Sequence, residues 1–280
     1  MPVTSDADEA AADVSNGTAD TEPDGDALPI NELFASLQGE GTLAGQPSTF
    51  VRTSGCNLRC WFCDSYHTSW EPTGAWLDID AIVASVAERA PDHVVVTGGE
   101  PLIHDGVVDL LAALDDRGYH LTVETNGTIV PPADTPIDLA SVSPKLASST
   151  PTADRPPAGV DPSDSDVTDA EIDRWSETHE TERIDRDALA TLIDRYETQL
   201  KFVVTGPDDL PEIEALVADV RGRLADPGRL PDSRVLLMPE GQTRERLAET
   251  RRVVADLALE HGYRYTPRLH VDLWNDAPET

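Results

Sequence analysis

Apolar and polar positions along the chain follow two periods, which predicts a repeating series of strands and helices. Runs of consecutive apolar residues, such as His93–Thr97, are typical of strands that are buried on both faces. The stretch Gly106–Arg117 instead places Val107, Leu110 and Leu114 at helical spacing along one face. Strand and helix units that repeat in this way predict a parallel sheet.

The remaining elements follow the same reasoning. The predicted strands are Ser48–Arg52, His93–Thr97, Tyr119–Glu124, Ile137–Ser143, Leu200–Val204, Arg234–Met238 and a short extended piece at Tyr263–Thr266. The predicted helices are Asp78–Arg89, Gly106–Arg117, Asp187–Thr198, Leu210–Leu224 and Arg244–His261. About six such units predict an α/β fold with a closed or partly closed barrel, in which chemistry gathers at the carboxyl ends of the strands.

Two segments interrupt this pattern. Residues 1–27 contain eight acidic residues and no lysine or arginine, so we expect a disordered acidic tail before a domain that covers residues 28–280. Residues 147–185 are rich in proline, aspartate and serine. We expect this second segment to be an acidic, partly flexible insertion with a short helix around Asp169–Thr178.

The charge of the chain is strongly one-sided. The formal net charge is −32 at pH 7, and only two of the 21 basic residues are lysines. Because salt screens repulsion between like charges, such a surface is typical of proteins that work at high ionic strength, and we expect a halophilic source. The acidity disfavours direct binding to nucleic acid. We expect a cytoplasmic protein, since no membrane span or export signal is visible and clustered free cysteines fit a reducing compartment.

All three cysteines lie in one stretch, Cys56-Asn-Leu-Arg-Cys60-Trp-Phe-Cys63, which we call the cysteine loop (residues 56–63). Three soft thiolates at this spacing can hold a 4Fe–4S cluster by three irons and leave the fourth iron open to a ligand. A structural zinc site is the alternative, with His67 as the fourth ligand. An ordinary ferredoxin cluster would need a fourth cysteine, which the sequence lacks.

Glycine-rich or polar segments follow several predicted strands: Thr97-Gly98-Gly99-Glu100-Pro101, Glu124-Thr125-Asn126-Gly127, Ser143-Pro144-Lys145 and Met238-Pro239-Glu240-Gly241. Because the carboxyl ends of parallel strands meet at one edge, we expect these segments to converge on the cysteine loop. The glycines would let a ligand approach the backbone, and Glu100 could accept a hydrogen bond from an ammonium group. A plain glycine-rich turn is the alternative at residues 97–101.

The cysteine spacing, with the aromatic Phe62 before the last cysteine, resembles the signature of the radical S-adenosylmethionine (SAM) superfamily. In that superfamily, SAM binds the open iron and is split into a 5′-deoxyadenosyl radical. Further segments resemble the 7-carboxy-7-deazaguanine synthase family from about residue 30 to residue 270, outside the insertion. These segments are Asn31–Phe34, Leu37–Gly41, Phe50–Arg52, Gly55–Leu58 and Cys63–Ser65.

This resemblance implies a partial (β/α)6 barrel of the radical SAM type, with the cluster loop after the first barrel strand. It also implies a lyase that contracts the ring of 6-carboxy-5,6,7,8-tetrahydropterin to 7-carboxy-7-deazaguanine, with loss of ammonia. The implied cofactors are a 4Fe–4S cluster, SAM and Mg²⁺. The implied product feeds the synthesis of the modified tRNA bases archaeosine or queuosine.

The resemblance implies a role for each matched position. The cluster would be held by Cys56, Cys60 and Cys63, and Mg²⁺ by Ser65, where the family usually has threonine. Serine keeps the oxygen donor but lacks the branch that fixes the rotamer of threonine. SAM would contact Phe62, Cys63, Asp64, Gly99, Glu100, Ser143, Pro144, Lys145, Met238, Pro239 and Glu240. The substrate would contact Leu37, Gln38, Gly39, Arg52, Thr97 and His270.

Several of these positions also have simpler explanations. Gln38 could be a solvated loop amide, Arg52 could form a surface ion pair, and His270 could be an ordinary core or surface residue. In its implied role, Arg52 would pair with the substrate carboxylate through its planar guanidinium. Lys145 suggests a function that arginine cannot fill, because the chain otherwise uses arginine almost throughout. Lys201 could face the barrel interior or extend to the surface.

Two other classes of protein remain open at this stage. One is a different radical SAM enzyme, such as an activating enzyme that places a glycyl radical on a partner protein. The other is a non-catalytic zinc or electron-transfer protein with three cysteines and one histidine. For the favoured family, the resemblance implies the pterin as small-molecule substrate, a reductant such as ferredoxin or flavodoxin, and a homodimer. It implies neither direct nucleic-acid binding nor a membrane partner.

Overall fold

One sheet of nine strands organises the computed structural model, which describes residues 27–69, 74–160 and 167–275. Its strands are β1 (Ala27–Leu37), β2 (Pro47–Thr53), β3 (Ala75–Asp78), β4 (His93–Gly98), β5 (His120–Thr125), β6 (Leu139–Val142), β7 (Thr198–Val204), β8 (Val235–Pro239) and β9 (Arg264–Tyr265). The helices are α1 (Tyr66–Ser69), α2 (Ile79–Ala87), α3 (Gly106–Asp115), α4 (Asp169–Glu182), α5 (Arg186–Arg195), α6 (Leu210–Arg223), α7 (Arg244–His261) and α8 (Leu269–Trp274). Apart from Ala27, the predicted acidic tail lies outside the described residues.

The sheet is a partial barrel. Strands β2 and β4–β8 lie side by side in parallel, and β9 continues the row. The strand order β3-β1-β2-β4-β5-β6-β7-β8-β9 leaves β3 and β9 at its two ends, so the barrel is open. The predicted α/β fold with a partial (β/α)6 barrel is confirmed, and the cysteine loop directly follows β2, the first barrel strand.

The sequence-based prediction missed the strands β1 and β3 and the short helices α1 and α8. Strand β1 forms antiparallel pairs with both β2 and β3, and the prediction missed β1 and β3 because their burial does not alternate regularly. As in the predicted series of elements, the segment 126–138, described throughout, joins β5 to β6 without a helix, since Pro131, Pro132 and Pro136 disfavour one. Helix α8 has only six residues and lacks a periodic signal.

Strand alternation sorts side chains between the helix-covered outside and the barrel interior. Val94 and Val96 of β4 belong to an apolar cluster with α2 and α3, and Phe202 of β7 belongs to a second cluster with α5, α6 and α7. Neighbouring residues in a strand point to opposite faces, so Thr97, next to Val96, and Lys201, next to Phe202, face the barrel interior. This placement answers the question that the sequence left open for Lys201.

The helix predicted within residues 147–185 is present and longer than expected. Helix α4 begins with a capping box between Thr168 and Glu171 and ends at Glu182, beyond the predicted end at Thr178. Both Ile172 and His179 of this helix are buried. None of the described helices is both long and apolar enough to cross a bilayer.

Candidate active site

A cavity of about 590 Å³ lies at the carboxyl ends of the parallel strands. It is lined by the cysteine loop, the β1–β2 hairpin, the ends of β4–β8 and the C-terminal segment. Most of the predicted site residues line it: Leu37, Gln38, Gly39, Arg52, Cys56, Cys60, Phe62, Cys63, Asp64, Ser65, Thr97, Gly99, Ser143, Lys145, Met238, Glu240 and His270. Pro144, Pro239 and Glu100 are buried outside this lining.

The three cysteines of the cysteine loop, all within the described residues, form no disulfide and line the cavity. Burial raises the pKa of Cys56 to about 12 and also raises the pKa of Cys60 far above its ordinary value. A thiolate at either position therefore needs a bound cation, and soft thiolates suit iron. The donor set fits a cluster held by three cysteines.

The turn after β4 packs against the cysteine loop through Gly99. A Cβ atom at Gly99 would lie 2.3 Å from the Gly55 carbonyl oxygen and 2.7 Å from the Cys56 Cβ. The neighbouring Glu100 amide donates to the Gly55 carbonyl oxygen at 2.9 Å. Only glycine allows this approach, so the turn is specific to the loop that it supports.

The side chain of Glu100 does not line the cavity, and its contact with a ligand ammonium stays a prediction. It is fully buried, and its carboxylate accepts from the Leu102 amide at 3.1 Å, the Asn126 amide at 2.6 Å and the Thr125 hydroxyl at 2.9 Å. Burial nevertheless raises the pKa of this carboxyl. Glu100 thus ties the turn after β4 to the turn after β5.

A group of five ionisable residues, which we call the charged cluster, forms another part of the lining: Glu40, Asp64, Glu124, Lys201 and Arg268. The Lys201 Nζ lies 2.6 Å from a Glu40 carboxylate oxygen and 3.6 Å from one of Glu124. The Arg268 guanidinium pairs with Asp64 and lies 3.0 Å from the other Glu40 oxygen. The two cations are almost completely buried, and each is shared between two carboxylates.

These ion pairs fix the charge states of the cluster. Burial alone would raise the pKa of Glu40, but Lys201 and Arg268 outweigh it and hold that pKa well below its usual range. Arg268 lowers the pKa of Asp64 against the same opposing effect of burial. The carboxylates in turn raise the pKa of Lys201 and Arg268 despite burial. Glu40, Asp64, Lys201 and Arg268 are therefore ionised at neutral pH.

Glu40, Asp64 and His270 each bring one potential ligand atom within 4.8 Å of the others, as a metal site would. The Arg268 guanidinium, however, already bonds to both carboxylates. It also lies 3.5 Å from the His270 Nε2. Arg268 therefore supplies the positive charge that a metal ion would bring to this group.

Two predicted substrate residues, Gln38 and Thr97, border the charged cluster. The Gln38 amide donates to Glu124 at 3.2 Å, and its oxygen accepts from the Glu40 amide at 3.3 Å. The Thr97 hydroxyl donates to the other Glu124 oxygen at 3.1 Å. Gln38 is therefore a buried, oriented amide and not a solvated one.

His270 lies directly against the backbone of the β1–β2 hairpin. A Cβ atom at Gly39 would lie only 1.9 Å from the His270 Nδ1, so a glycine is required at this position. The His270 Nε2 lies 3.8 Å from a Glu40 oxygen. Gly39 and His270 thus form one small wall of the cavity.

Arg52 connects the hairpin to the residues that follow the cysteine loop. Its Nη1 donates to the Ser65 hydroxyl at 2.8 Å, and its Nε lies 2.7 Å from a Glu32 carboxylate oxygen. The Ser65 hydroxyl in turn donates to Asp64 at 3.1 Å. The Nε2 of His67, the candidate fourth zinc ligand, lies 3.7 Å from the same Glu32 carboxylate. The zinc alternative loses support from that contact.

On the side of the cavity formed by the cysteine loop, the Lys145 side chain contacts its own turn, residues 143–145. Its Nζ donates to the Ser143 carbonyl oxygen at 3.0 Å and to the Ser143 hydroxyl at 2.8 Å. The Gln242 amide donates to the carbonyl oxygens of Cys63 at 3.0 Å and Phe62 at 3.3 Å. Gln242 thereby fixes the end of the cysteine loop.

Sequence reasoning missed Arg268, Gln242 and the pairing of Glu40 with Lys201. Glu40 lies within the resemblance segment Leu37–Gly41, and the alternation of β7 could have placed Lys201 in the interior. Arg268 and Gln242 lie in irregular segments, and no local signal in the sequence identifies them.

Comparisons with known proteins agree with these observations. A family model described as the Radical SAM superfamily matches residues 50–141. A 7-carboxy-7-deazaguanine synthase of Halobacterium salinarum is 60% identical over 281 residues and 100% of both chains. Another from Rhodopirellula baltica is 40% identical over 87% of this chain and 85% of its own. In fold, the crystal structure of QueE from Escherichia coli matches with a TM-score of 0.58 and 23% identity, over 87% of this chain and 95% of that one.

Proposed function

The chain belongs to the 7-carboxy-7-deazaguanine synthase family, within the radical SAM superfamily, and we propose that it carries out the reaction of that family. That reaction contracts the ring of 6-carboxy-5,6,7,8-tetrahydropterin to 7-carboxy-7-deazaguanine, with loss of ammonia. The observation that carries the proposal is one cavity that holds three thiols and an ionised cluster together.

The cysteine side of the cavity would bind the cofactors. Cys56, Cys60 and Cys63 would hold a 4Fe–4S cluster, and SAM would bind beside it. When bound, the cluster and SAM supply the 5′-deoxyadenosyl radical that removes hydrogen from the substrate. The Gly99 backbone would lie along SAM, and Lys145 would turn from Ser143 towards the carboxylate of SAM.

The charged cluster would bind the pterin. The amino-pyrimidinone edge of a pterin presents adjacent N–H groups. The carboxylates of Glu40 and Glu124 can accept hydrogen bonds from these groups. Gln38 and Thr97 hold Glu124 in place for this role. The side chain of His270 and the backbone of Gly39 would close the same end of the cavity. Since the ion pairs of the charged cluster are present without a ligand, little reorganisation is needed when the pterin binds.

The substrate carboxylate would be bound by Arg52 and Mg²⁺. Ser65 and Asp64 offer adjacent oxygen atoms, the ligand type that Mg²⁺ prefers. Arg52 donates to Ser65 in this structure, so a Mg²⁺ at Ser65 would release that guanidinium nitrogen to the substrate. Phe34 supports the guanidinium, whose carbon lies 5.7 Å from the centre of the phenyl ring.

The biological setting belongs to the same proposal. Residues 28–280 would form one catalytic domain that acts in the cytoplasm as a homodimer and takes electrons from a ferredoxin or flavodoxin. The deazaguanine acid would feed archaeosine or queuosine synthesis. The acidic, lysine-poor composition supports a halophilic source. Dialysis to low salt should then unfold the protein, and full stability there would contradict halophily.

The decisive experiment is anaerobic reconstitution of the cluster, followed by incubation with SAM, Mg²⁺, a chemical reductant and the carboxypterin. We expect 7-carboxy-7-deazaguanine, detected by mass spectrometry, from the parent protein and none from Cys63→Ala. An intact cluster that cleaves SAM without forming this product would refute the substrate assignment. A zinc-loaded protein that never cleaves SAM would refute the reaction class.

A further inference from the structure

We propose that the insertion acts as a clamp on the cysteine loop and that His179 is its positioning residue. The clamp consists of residues 147–160 and helix α4. The inference rests on the proposed function, because it takes the cysteine loop to be the cluster site. It adds a role for a segment to which the family reaction gives none.

His179 reaches the backbone of the cysteine loop directly. It is 1% exposed, and its Nδ1 accepts from the Arg59 amide at 3.2 Å. The proton of the neutral ring therefore lies on Nε2, which donates to the Ser149 hydroxyl at 2.8 Å. That hydroxyl donates onward to the Leu146 carbonyl oxygen at 2.6 Å. Each donor thus has an acceptor, and one tautomer is fixed.

Other hydrogen bonds join the clamp to the loop beside Cys60. The Trp61 amide donates to the Ser149 carbonyl oxygen at 3.2 Å, and the Trp61 indole donates to the Ser148 carbonyl oxygen at 2.6 Å. The Ala158 amide donates to the Cys60 carbonyl oxygen at 3.3 Å. These contacts hold the backbone on both sides of one predicted cluster ligand.

A cation–π contact closes the clamp from outside. The guanidinium carbon of Arg155 lies 5.2 Å from the centre of the Trp61 ring. Cys60 is buried beneath these residues, and Ser149 has no exposed surface. The clamp therefore shields the central cysteine of the loop from solvent.

The turn that His179 fixes also controls a hydrogen bond to sulfur. The Leu58 amide donates to the Cys56 sulfur at 3.4 Å. The Arg59 side chain donates to the carbonyl oxygens of Cys56 at 2.7 Å and Leu58 at 2.8 Å. Because Arg59 is held by His179 at its amide, loss of this anchor would release the whole turn. Hydrogen bonds to sulfur and solvent exposure both set the reduction potential of a cluster.

The test compares three substitutions in the full chain, reconstituted anaerobically in concentrated KCl. His179→Ala removes the acceptor for the Arg59 amide, whereas His179→Asn keeps an acceptor near the Nδ1 position. Thr178→Ala changes an exposed neighbour on the same helix and serves as the matched control. The readouts are the rate of iron release to a chelator and the midpoint potential of the cluster.

We expect His179→Ala to release iron roughly 10- to 100-fold faster, in line with the 10- to 100-fold loss of metal affinity that is typical when outer partners of metal ligands are removed. Its midpoint potential should also shift. His179→Asn and Thr178→Ala should behave like the parent. Equal rates and potentials in His179→Ala and Thr178→Ala would overturn the clamp, and so would equal losses in His179→Ala and His179→Asn.

Two controls separate the possible causes of failure. Circular dichroism of the apoprotein checks folding. Should His179→Ala not fold, Trp61→Phe removes the indole bond to Ser148 and weakens the contact with Arg155, two links of the clamp, and decides the question by the same readouts. Unchanged iron release in Trp61→Phe would then overturn the clamp. A parent protein that binds no 4Fe–4S cluster would instead overturn the proposed function.

Discussion

The cysteine loop and the charged cluster line the same cavity but are built in different ways. The loop is one continuous stretch of eight residues, and its turn is closed partly by Arg59 from within the stretch. The charged cluster joins residues far apart in the chain: Lys201 is 161 positions from Glu40, and Arg268 is 228 positions from Glu40. One is a local motif, and the other exists only in the folded barrel.

The two regions also differ in whether their ionisable groups are charged before a ligand binds. Burial keeps the pKa of Cys56 and Cys60 high, so these thiols ionise only when a metal binds. In the charged cluster, Lys201 and Arg268 already form ion pairs with the carboxylates beside them. The thiols of the cysteine loop thus need their metal cofactor to ionise, whereas the ion pairs of the charged cluster are formed before any ligand binds. Substitutions can test this difference.

The largest effect should follow removal of one cluster ligand. Cys60→Ala should abolish both the visible absorption of thiolate-bound iron and product formation, because an iron loses its only protein ligand. Carboxypterin binding, measured by calorimetry, should remain close to that of the apo parent, since the charged cluster is untouched. A coloured, active Cys60→Ala protein, or one that no longer binds pterin, would break the comparison.

The next largest effect should come from Arg268→Ala. This side chain is 4% exposed, and its loss leaves the largely buried Glu40 with Lys201 as its remaining cationic partner and takes away the partner of the half-exposed Asp64. We expect the free energy of unfolding of the apoprotein to fall by about 3–5 kcal/mol, measured by urea denaturation in concentrated KCl. Iron content after reconstitution should not change.

A matched control for this effect is Arg251→Ala, which removes a half-exposed pair with Asp272. It should cost less than about 1 kcal/mol. Similar losses in the two variants would mean that the charged cluster does not act as a preformed unit.

Acid should destabilise a third region before it affects the charged cluster. His93 lies at the start of β4, remote from the cavity, between the hydroxyls of Ser48 at 2.5 Å and Thr122 at 2.8 Å. Burial lowers the pKa of His93 to about 4. As the pH falls below about 6.5, the unfolded chain binds a proton here and the folded protein does not, so stability is lost until about pH 4.

The loss over this window should reach roughly 3 kcal/mol. His93→Gln should remove this share of the loss and leave the share of His179, whose pKa burial also lowers to about 4, whereas His261→Gln on the surface of α7 should keep the parent slope. The pKa values of Glu40 and Asp64 are lowered, so their contribution is present above the ordinary carboxyl pKa and is lost only at lower pH. Unfolding curves across the pH range separate the two windows, and an unchanged slope in His93→Gln would refute the assignment.

The smallest effect should come from Ser65→Thr, where the two regions meet. A β-branched side chain has fewer rotamers to lose, so Mg²⁺ should bind about two- to threefold more tightly. The Mg²⁺ dependence of product formation measures this change, and the midpoint potential of the cluster should stay the same. Weaker Mg²⁺ activation would show that the Arg52–Ser65 hydrogen bond, and not rotamer freedom, limits the site.

The difference between the two regions also explains what could be predicted. Hydrophobic periodicity predicted the parallel barrel, and helix α7 has the predicted limits Arg244–His261, because strong local patterns decide such elements. The short helix α8 and the antiparallel strand β1 depend on tertiary contacts, and both were missed. The Glu100 side chain was assigned to a ligand, yet the fold uses it to join two turns.

By itself, the sequence determined the barrel, the cysteine loop and most of the residues that line the cavity. Those features depend on local periodicity, on the spacing of three cysteines and on turns that follow strands. The tertiary structure alone decided the charged cluster around Arg268 and the clamp formed by the insertion. Ion pairs and hydrogen bonds across such separations depend on how strands and loops meet in space, which no short stretch of sequence records.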